Sequence, residues 1–134
     1  MPCGTPRKRP APASSHDGPT AIQGREDGEA CIPPLLKLVK KASDAGARAI
    51  IIGCSDDTGL KPARACTKCP VIGIGQAAYH LAAMAGSQFS VVTTLDVATP
   101  ILRENIQAYG LSGSLARVRA SGVPVLALET DPEA

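Results

Sequence analysis

The sequence predicts an α/β fold in which a parallel sheet of about four strands is flanked by helices. Short apolar runs bounded by glycine or proline alternate along the chain with stretches of helical periodicity, as in right-handed βαβ units. The first run, residues 49–53, is wholly apolar and predicts a strand that is buried on both faces. With 134 residues, 44% of them hydrophobic, the chain suits a single domain with an aliphatic core.

The N-terminal segment, residues 1–20, is rich in Pro, Ala, Ser and basic side chains, and we expect it to be disordered. Residues 21–134 form the ordered part of the prediction. The first helix is expected to open at Pro33 and Pro34, because proline is tolerated in a first turn. It is expected to end at Gly46, which suits a helix C-terminus.

The remaining elements follow from the same signals of periodicity and punctuation. Gly86 and Gly110 each come directly after a helical stretch, and Pro100 lies near the start of one. Pro124 must fall at the beginning of its strand because it has no N–H to donate. In chain order the pattern predicts a helix over 60–66, a strand over 70–75, a helix over 76–85, a strand over 89–94, a helix over 99–109 and a strand over 123–128.

The loops after three of the predicted strands carry the residues most suited to chemistry. The carboxyl ends of parallel strands share one edge of a sheet, where open α/β folds bind ligands. A thiol there can lose its proton to a nearby helix N-terminus or to loop amides, and the thiolate is the reactive form. A buried, inert cysteine is the alternative. The residues expected to converge on a small ligand are Cys54, Ser55, Gly75, Gln76, Thr93 and Thr94.

Composition excludes several classes of function. Aromatic residues make up 2% of the chain, which argues against single-stranded nucleic-acid binding, and a net charge of +2 does not indicate a polyanion partner. The basic cluster at residues 7–9 is most simply a solvated end. No apolar run approaches the roughly 20 residues that span a bilayer, and no secretory signal is evident. Five irregularly spaced cysteines favour reduced thiols and a cytoplasmic location.

Other patterns have competing readings. Cys66 and Cys69 form a CxxC that would suit zinc or redox chemistry, but no second CxxC accompanies it, so both are read as ordinary apolar residues and no metal is predicted. His80 is read as a surface or structural histidine. Asp56 and Asp57 are read as N-caps of the helix that follows them rather than as paired acids. The segment 73–75 lacks the third glycine of a dinucleotide fingerprint.

Four segments together resemble the Asp/Glu/hydantoin racemase superfamily, and most closely its hydantoin and allantoin racemase branch. They are similar in sequence and in order to segments of that family, over about residue 18 to the end. The segments are 18–24 (GPTAIQG), 50–59 (IIIGCSDDTG), 70–78 (PVIGIGQAA) and 89–95 (FSVVTTL).

The resemblance implies a cofactor-independent racemase with two α/β lobes and an active site between them, of which this chain is one Rossmann-like lobe. Cys54 matches the first-lobe cysteine of the family. Thr93 and Thr94 match the hydroxyl pair that holds substrate, and Ser55 is expected to contribute a backbone or hydroxyl contact. A thiolate is a competent base for a proton next to a carbonyl if its pKa is lowered, and loop amides can stabilise the enolate that forms.

The chain also departs from the family pattern. The family's first strand is replaced by the disordered-looking N-terminal segment, position 76 is Gln76 rather than an acid, and the chain ends before the second catalytic cysteine. We therefore expect an incomplete lobe with the start of a second one, impaired as a racemase, or else a non-catalytic small-molecule-binding lobe or a truncated inactive fragment. The missing first strand leaves an open sheet edge, which is expected to favour either association, as in a homo-oligomer, or low stability. The cysteines that do not match the second catalytic one are Cys3, Cys31, Cys66 and Cys69.

Overall fold

The computed structural model describes residues 11–131, so predictions for residues 1–10 and 132–134 lie outside it. Residues 11–20 contain no helix or strand. Helices and strands alternate as expected, and single-turn 3-10 helices lie at Asp96–Ala98 and Ser112–Ser114. The main elements are α1 (Arg25–Asp44), β1 (Ile50–Ile52), α2 (Leu60–Cys66), β2 (Val71–Gly73), α3 (Ile74–Ala85), β3 (Phe89–Thr93), α4 (Thr99–Ala108), β4 (Leu115–Ala120) and α5 (Ala127–Thr130).

Helix α1 begins at Arg25, so the prediction that it opens at Pro33 and Pro34 is wrong. Both prolines lie inside the helix. The helix start is stabilised instead at Asp27, whose Oδ2 accepts a hydrogen bond from the N–H of Gln23 at 2.9 Å. A carboxylate in the first turn also interacts favourably with the helix dipole. The C-terminal prediction is confirmed in outline, because the residue after the C-cap is Gly46 with φ 79°.

The fourth strand is also misplaced by the sequence prediction. The structure forms β4 over Leu115–Ala120, whereas the predicted strand 123–128 is a turn that leads into α5. Proline explains the turn, because the carbonyl of Pro124 accepts a bond from the N–H of Ala127 at 3.0 Å and Pro124 itself cannot donate. In β4 the buried Val118 lies between two exposed arginines, Arg117 and Arg119. That alternation is the signature of a strand with one wet face.

The four strands form two parallel pairs rather than one continuous sheet. β1 pairs with β2 in register Ile50 with Val71, and β3 pairs with β4. Within residues 11–131 no strand joins the two pairs. One face of the strands is open as well, since Ile51 is 64% exposed and Val92 75% exposed. The prediction of a first strand buried on both faces is therefore wrong, although the parallel α/β class is confirmed.

Each strand pair has its own hydrophobic core. The first core surrounds β1 and β2, and the second lies between α3, α4 and β4. Tyr109 packs against both cores, and α3 contacts both β2 and β3, so these two elements connect the halves. The buried residues of the two cores are Val39, Ile52, Leu60, Ala63 and Val71 in the first, and Tyr79, Leu102, Ile106 and Val118 in the second.

Within the part of the chain that the structure describes, no helix has both the length and the apolar character needed to cross a membrane.

We expect Ile106→Ala to lower the free energy of unfolding by about 3 kcal/mol, because Ile106 is 0% exposed and its removal leaves a cavity in the second core. The matched control is Leu81→Ala on α3, where the side chain is 62% exposed and the change should stay within about 0.5 kcal/mol. Urea denaturation followed by circular dichroism measures both. Equal losses for the two variants would contradict the assigned core.

Candidate active site

A cavity of about 790 Å³ opens at the carboxyl ends of β1 and β3, between the two strand pairs. Its walls come from the turn after β1, the first turns of α3, the end of β3 and the segment before α5. Of the residues expected at this edge, five line the cavity and Gln76 does not. The five that it brings together are Cys54, Ser55, Gly75, Thr93 and Thr94.

Cys54 is half-buried at the wall of this cavity. Its Sγ donates a weak hydrogen bond to Oγ1 of Thr58 at 3.4 Å. The carbonyl of Cys54 accepts the N–H of Asp57 at 3.0 Å, which closes a tight turn over 54–57. No basic residue among those described lines the cavity. Any stabilisation of a thiolate must therefore come from backbone N–H groups, hydroxyls or a bound ligand.

Thr93 and Thr94 lie at the end of β3, and both line the cavity. Their carbonyl oxygens accept bonds from the N–H groups of Ser121 and Gly122, each at 2.8 Å. The backbone is thereby fixed while the side-chain hydroxyls have no hydrogen-bond partner within residues 11–131. A threonine hydroxyl that reaches the cavity can bind a carbonyl oxygen or an amide group of a small ligand.

The buried carboxylate of Asp57 joins the Cys54 turn to the start of α3. Its Oδ1 accepts the N–H of Gly75 at 3.0 Å, and its Oδ2 accepts the N–H of Gln76 at 2.6 Å and the hydroxyl of Tyr109 at 2.8 Å. Asp57 has φ 51°, a left-handed conformation that costs about 1–2 kcal/mol in a non-glycine residue. Charge-assisted hydrogen bonds of this kind offset that cost.

Two glycines make room for this contact. A Cβ at Gly73 would overlap Oδ1 of Asp57, and a Cβ at Gly75 would overlap the carbonyl oxygen of Ser55. The glycines of segment 73–75, which resemble part of a dinucleotide fingerprint, therefore admit an internal carboxylate rather than an external phosphate. Asp57 caps α3, whereas the sequence reading made it an N-cap of α2. The N-cap of α2 is Gly59.

Gly75 and Gln76 occupy different positions relative to the cavity. Gly75 lines it, but its N–H is engaged by Asp57. The side chain of Gln76 faces away, where its Oε1 accepts a bond from Nη2 of Arg64 at 2.7 Å. The N–H groups of Gly75 and Gln76 therefore donate their hydrogen bonds to Asp57 rather than to a ligand.

Two further ionisable groups line the cavity, Asp56 and Tyr79. Sequence reasoning read Asp56 only as a helix N-cap and did not consider Tyr79. Burial raises the pKa of Asp56, with the charge of Asp57 adding to the effect and a hydrogen bond from Ser55 opposing it. Tyr79 stacks on Phe89 with ring centroids 5.9 Å apart. The sequence indicates a place for Tyr79 at the cavity only through its spacing from Gly75, which puts both residues on one face of α3.

The other cysteines that the structure describes do not line the cavity. The thiols of Cys66 and Cys69 donate to the carbonyls of Ala63 and Ala47, at 3.3 and 3.1 Å. Burial raises the pKa of the Cys31 thiol on α1, and the charges of Cys54 and Asp27 add to it. Residues 11–131 contain no cluster of three or more side chains that suits a metal ion.

The family model described as Asp/Glu/hydantoin racemase matches residues 5–134. The chain belongs to the Asp/Glu/hydantoin racemase family. A hydantoin racemase from Rhizobium meliloti is 41% identical over 117 residues, which are 87% of this chain and 48% of that protein.

Two solved allantoin racemases have the same fold. The enzyme from Klebsiella pneumoniae superposes with a TM-score of 0.85 at 34% identity, covering 88% of this chain and 48% of that one. The enzyme from Pseudomonas fluorescens gives a TM-score of 0.88 at 29% identity, covering 96% and 55%. This member of the racemase family therefore spans about half the length of the relatives it matches.

Both tyrosines of the chain lead to a prediction at alkaline pH. Burial, with the charges of Asp57, Asp56 and Cys54, raises the pKa of Tyr79 to about 12. Burial and the hydrogen bond to Asp57 also raise the pKa of Tyr109. A raised folded-state pKa gives stability that is present below the unfolded value of 10 and lost as pH rises toward 12.

We therefore expect the free energy of unfolding to fall between pH 10 and about 12, and tyrosinate absorbance to appear together with unfolding. Circular dichroism and near-ultraviolet absorbance on the same samples measure this. Tyr79→Phe should flatten the pH dependence, because it removes one of the two ionising groups. Tyrosinate at pH 10 in a chain with native circular dichroism would contradict the prediction.

Proposed function

We propose that this chain provides the first-lobe half of a cofactor-independent racemase that acts on a hydantoin, on allantoin or on a related amino-acid derivative. The observation that supports this most directly is the single cavity that gathers Cys54, Ser55, Thr93 and Thr94. Family membership and the names of the relatives, hydantoin racemase and allantoin racemase, support this substrate class.

In the proposed reaction the Cys54 thiolate removes the proton from the ring carbon next to the substrate carbonyl. The C–H electron pair moves into an enolate, and the thiolate becomes a thiol. Ser55 on one side and the hydroxyls of Thr93 and Thr94 on the other hold the carbonyl oxygens where negative charge develops. Returning a proton to the same face restores the substrate, and delivering one to the opposite face inverts it.

The N–H groups of Ser55 and Asp56 are the donors that this proposal assigns to the enolate oxygen. Neither has a hydrogen-bond acceptor among the described residues, whereas the N–H groups of Gly75 and Gln76 are engaged by Asp57. A donor that is free before the reaction can bind the oxyanion without first breaking a bond. The Cys54 turn would thus supply both the base and the oxyanion contact.

A non-catalytic binding lobe is the second candidate, and the distribution of ionisable groups favours it. Among described residues of the cavity wall, the only other ionisable groups are Asp56 and Tyr79. Asp56 lies two residues after Cys54 on the same turn, so it approaches a ligand from the same side. Inversion needs a proton donor on the opposite face, and outside the Cys54 turn the described wall offers aliphatic hydroxyls and the Tyr79 phenol, whose pKa is raised to about 12 by burial.

Two further parts of the proposal concern the setting of the protein. We propose association with a second copy, which the exposed Ile51 and Val92 on the open strand face support. We also propose a cytoplasmic location, on the number and irregular spacing of the cysteines.

We expect the purified chain to exchange the C5 proton of one enantiomer of a 5-substituted hydantoin in heavy water, as followed by proton NMR. Cys54→Ala should reduce the exchange at least about 100-fold, toward the spontaneous rate, because it removes the base. Cys66→Ala is the matched control, since that thiol is bonded to a carbonyl outside the cavity, and it should exchange like the parent chain.

Optical rotation recorded on the same samples separates the two candidates. Exchange with retained rotation identifies a lobe with a single working base. Exchange with racemisation shows that another group delivers the second proton. If exchange is equal in the parent chain and in Cys54→Ala, the racemase proposal is wrong and the binding lobe remains.

A further inference from the structure

We propose that Asp57 is a positioning residue for Cys54, which fastens the turn carrying the thiol to the first turn of α3 and screens the thiol from the positive end of that helix. The inference deepens the proposed function, and it rests on that function only for the role given to Cys54. The contacts themselves concern the folded chain without substrate.

Asp57 is buried, and its carboxylate is fully engaged in hydrogen bonds. Its side chain belongs to a residue that is 6% exposed, and it is the one buried charged residue in the described part of the chain. Three donors on two other elements meet its two oxygens: the N–H groups of Gly75 and Gln76 on α3, and the hydroxyl of Tyr109 after α4. A carboxylate that accepts this many hydrogen bonds is held in one position.

The connection from Asp57 to the thiol is short and covalently constrained. Asp57 closes the turn through its N–H bond to the carbonyl of Cys54 at 3.0 Å. The next residue, Thr58, accepts the bond from the thiol. A second link holds the same turn to α4, because Nδ2 of Asn105 donates to the carbonyl of Asp56 at 2.7 Å. Motion of the Asp57 carboxylate would therefore move the thiol.

The Asp57 carboxylate lies against the N-terminus of α3, and this position has an electrostatic consequence for Cys54. A helix N-terminus carries a partial positive charge that stabilises a nearby thiolate. Asp57 places a full negative charge on that terminus in α3. Removing the charge leaves the terminus uncompensated beside the cavity that Cys54 and Gly75 both line. The acidity of the Cys54 thiol should then increase.

Other titratable groups also face this turn. Asp56 belongs to the turn itself, and Arg64 of α2 reaches Gln76, whose N–H binds Asp57. The groups that contribute from the remaining packed elements are Cys31 of α1, Tyr79 of α3 and Tyr109 after α4. None of these groups changes in the variants used below except Tyr109, which is the matched control.

The test compares the pH dependence of Cys54 alkylation by iodoacetamide in the parent chain, Asp57→Asn and Tyr109→Phe, with Cys54 resolved by peptide mass spectrometry. Asp57→Asn should move the midpoint to lower pH by about 0.5–1 unit, because it keeps the size of the side chain and removes its charge. Tyr109→Phe removes one bond but leaves the charge and both amide bonds, so its midpoint should stay within about 0.2 unit of the parent.

A purely structural role would lower stability in both variants and leave the midpoint where it is, and that result overturns the proposal. If Asp57→Asn does not fold, a measurement on the parent chain still tests the proposal. On acid titration, the amide proton resonances of Gly75 and Gln76 should move with one shared midpoint, as both N–H groups bind the same carboxylate. Separate midpoints, or no movement, would also overturn it.

The failure of this proposal and that of the racemase proposal are distinguishable. Alkylation and amide titration need no substrate, so they can succeed in a chain that exchanges no hydantoin proton. Conversely, a chain can exchange the proton through Cys54 while the Asp57→Asn midpoint is unchanged, and then only the positioning role is lost.

Discussion

One buried carboxylate holds together the parts of the chain that make the site. Asp57 belongs to the turn after β1, yet its bonds go to the start of α3 and to the tyrosine that follows α4. The two strand pairs share no backbone ladder within the described residues, so these side-chain bonds replace part of the connection that a continuous sheet would give. These bonds require two locally unfavourable features. Asp57 adopts a left-handed backbone conformation, and two positions beside it are glycines, which have no side chain to pack.

Much of the fold could be predicted from the sequence, and the failures have identifiable causes. The apolar run before Cys54 and the glycines after α3 and α4 located their elements to within a few residues, since local periodicity and punctuation decide there. Residues 25–32 were missed as helix because Pro33 and Pro34 look like a start. Strand β4 was missed because Arg117 and Arg119 look solvated, although Val118 between them is buried.

For the candidate site, too, some residues could be predicted from the sequence and one contact could not. Cys54, Ser55, Thr93 and Thr94 were placed at the cavity by a rule of topology, that parallel strands end at one edge of a sheet. The partner of Asp57 could not be found in this way, because the contact joins residues 18 positions apart and depends on how closely α3 approaches the turn. Gly73 and Gly75 are the only sequence features that point to this contact, and the same glycines also fit a phosphate-binding loop.

The two separate cores have a dynamic consequence. Each strand pair with its helices buries its own side chains, so each can behave as a cooperative unit in hydrogen exchange, and the connection between them is made mainly by α3, Tyr109 and the bonds of the Cys54 turn. The lowest-energy opening of the molecule should then follow this seam. The candidate cavity lies within the seam, so we expect an opening along the seam to widen this cavity as well as to begin unfolding.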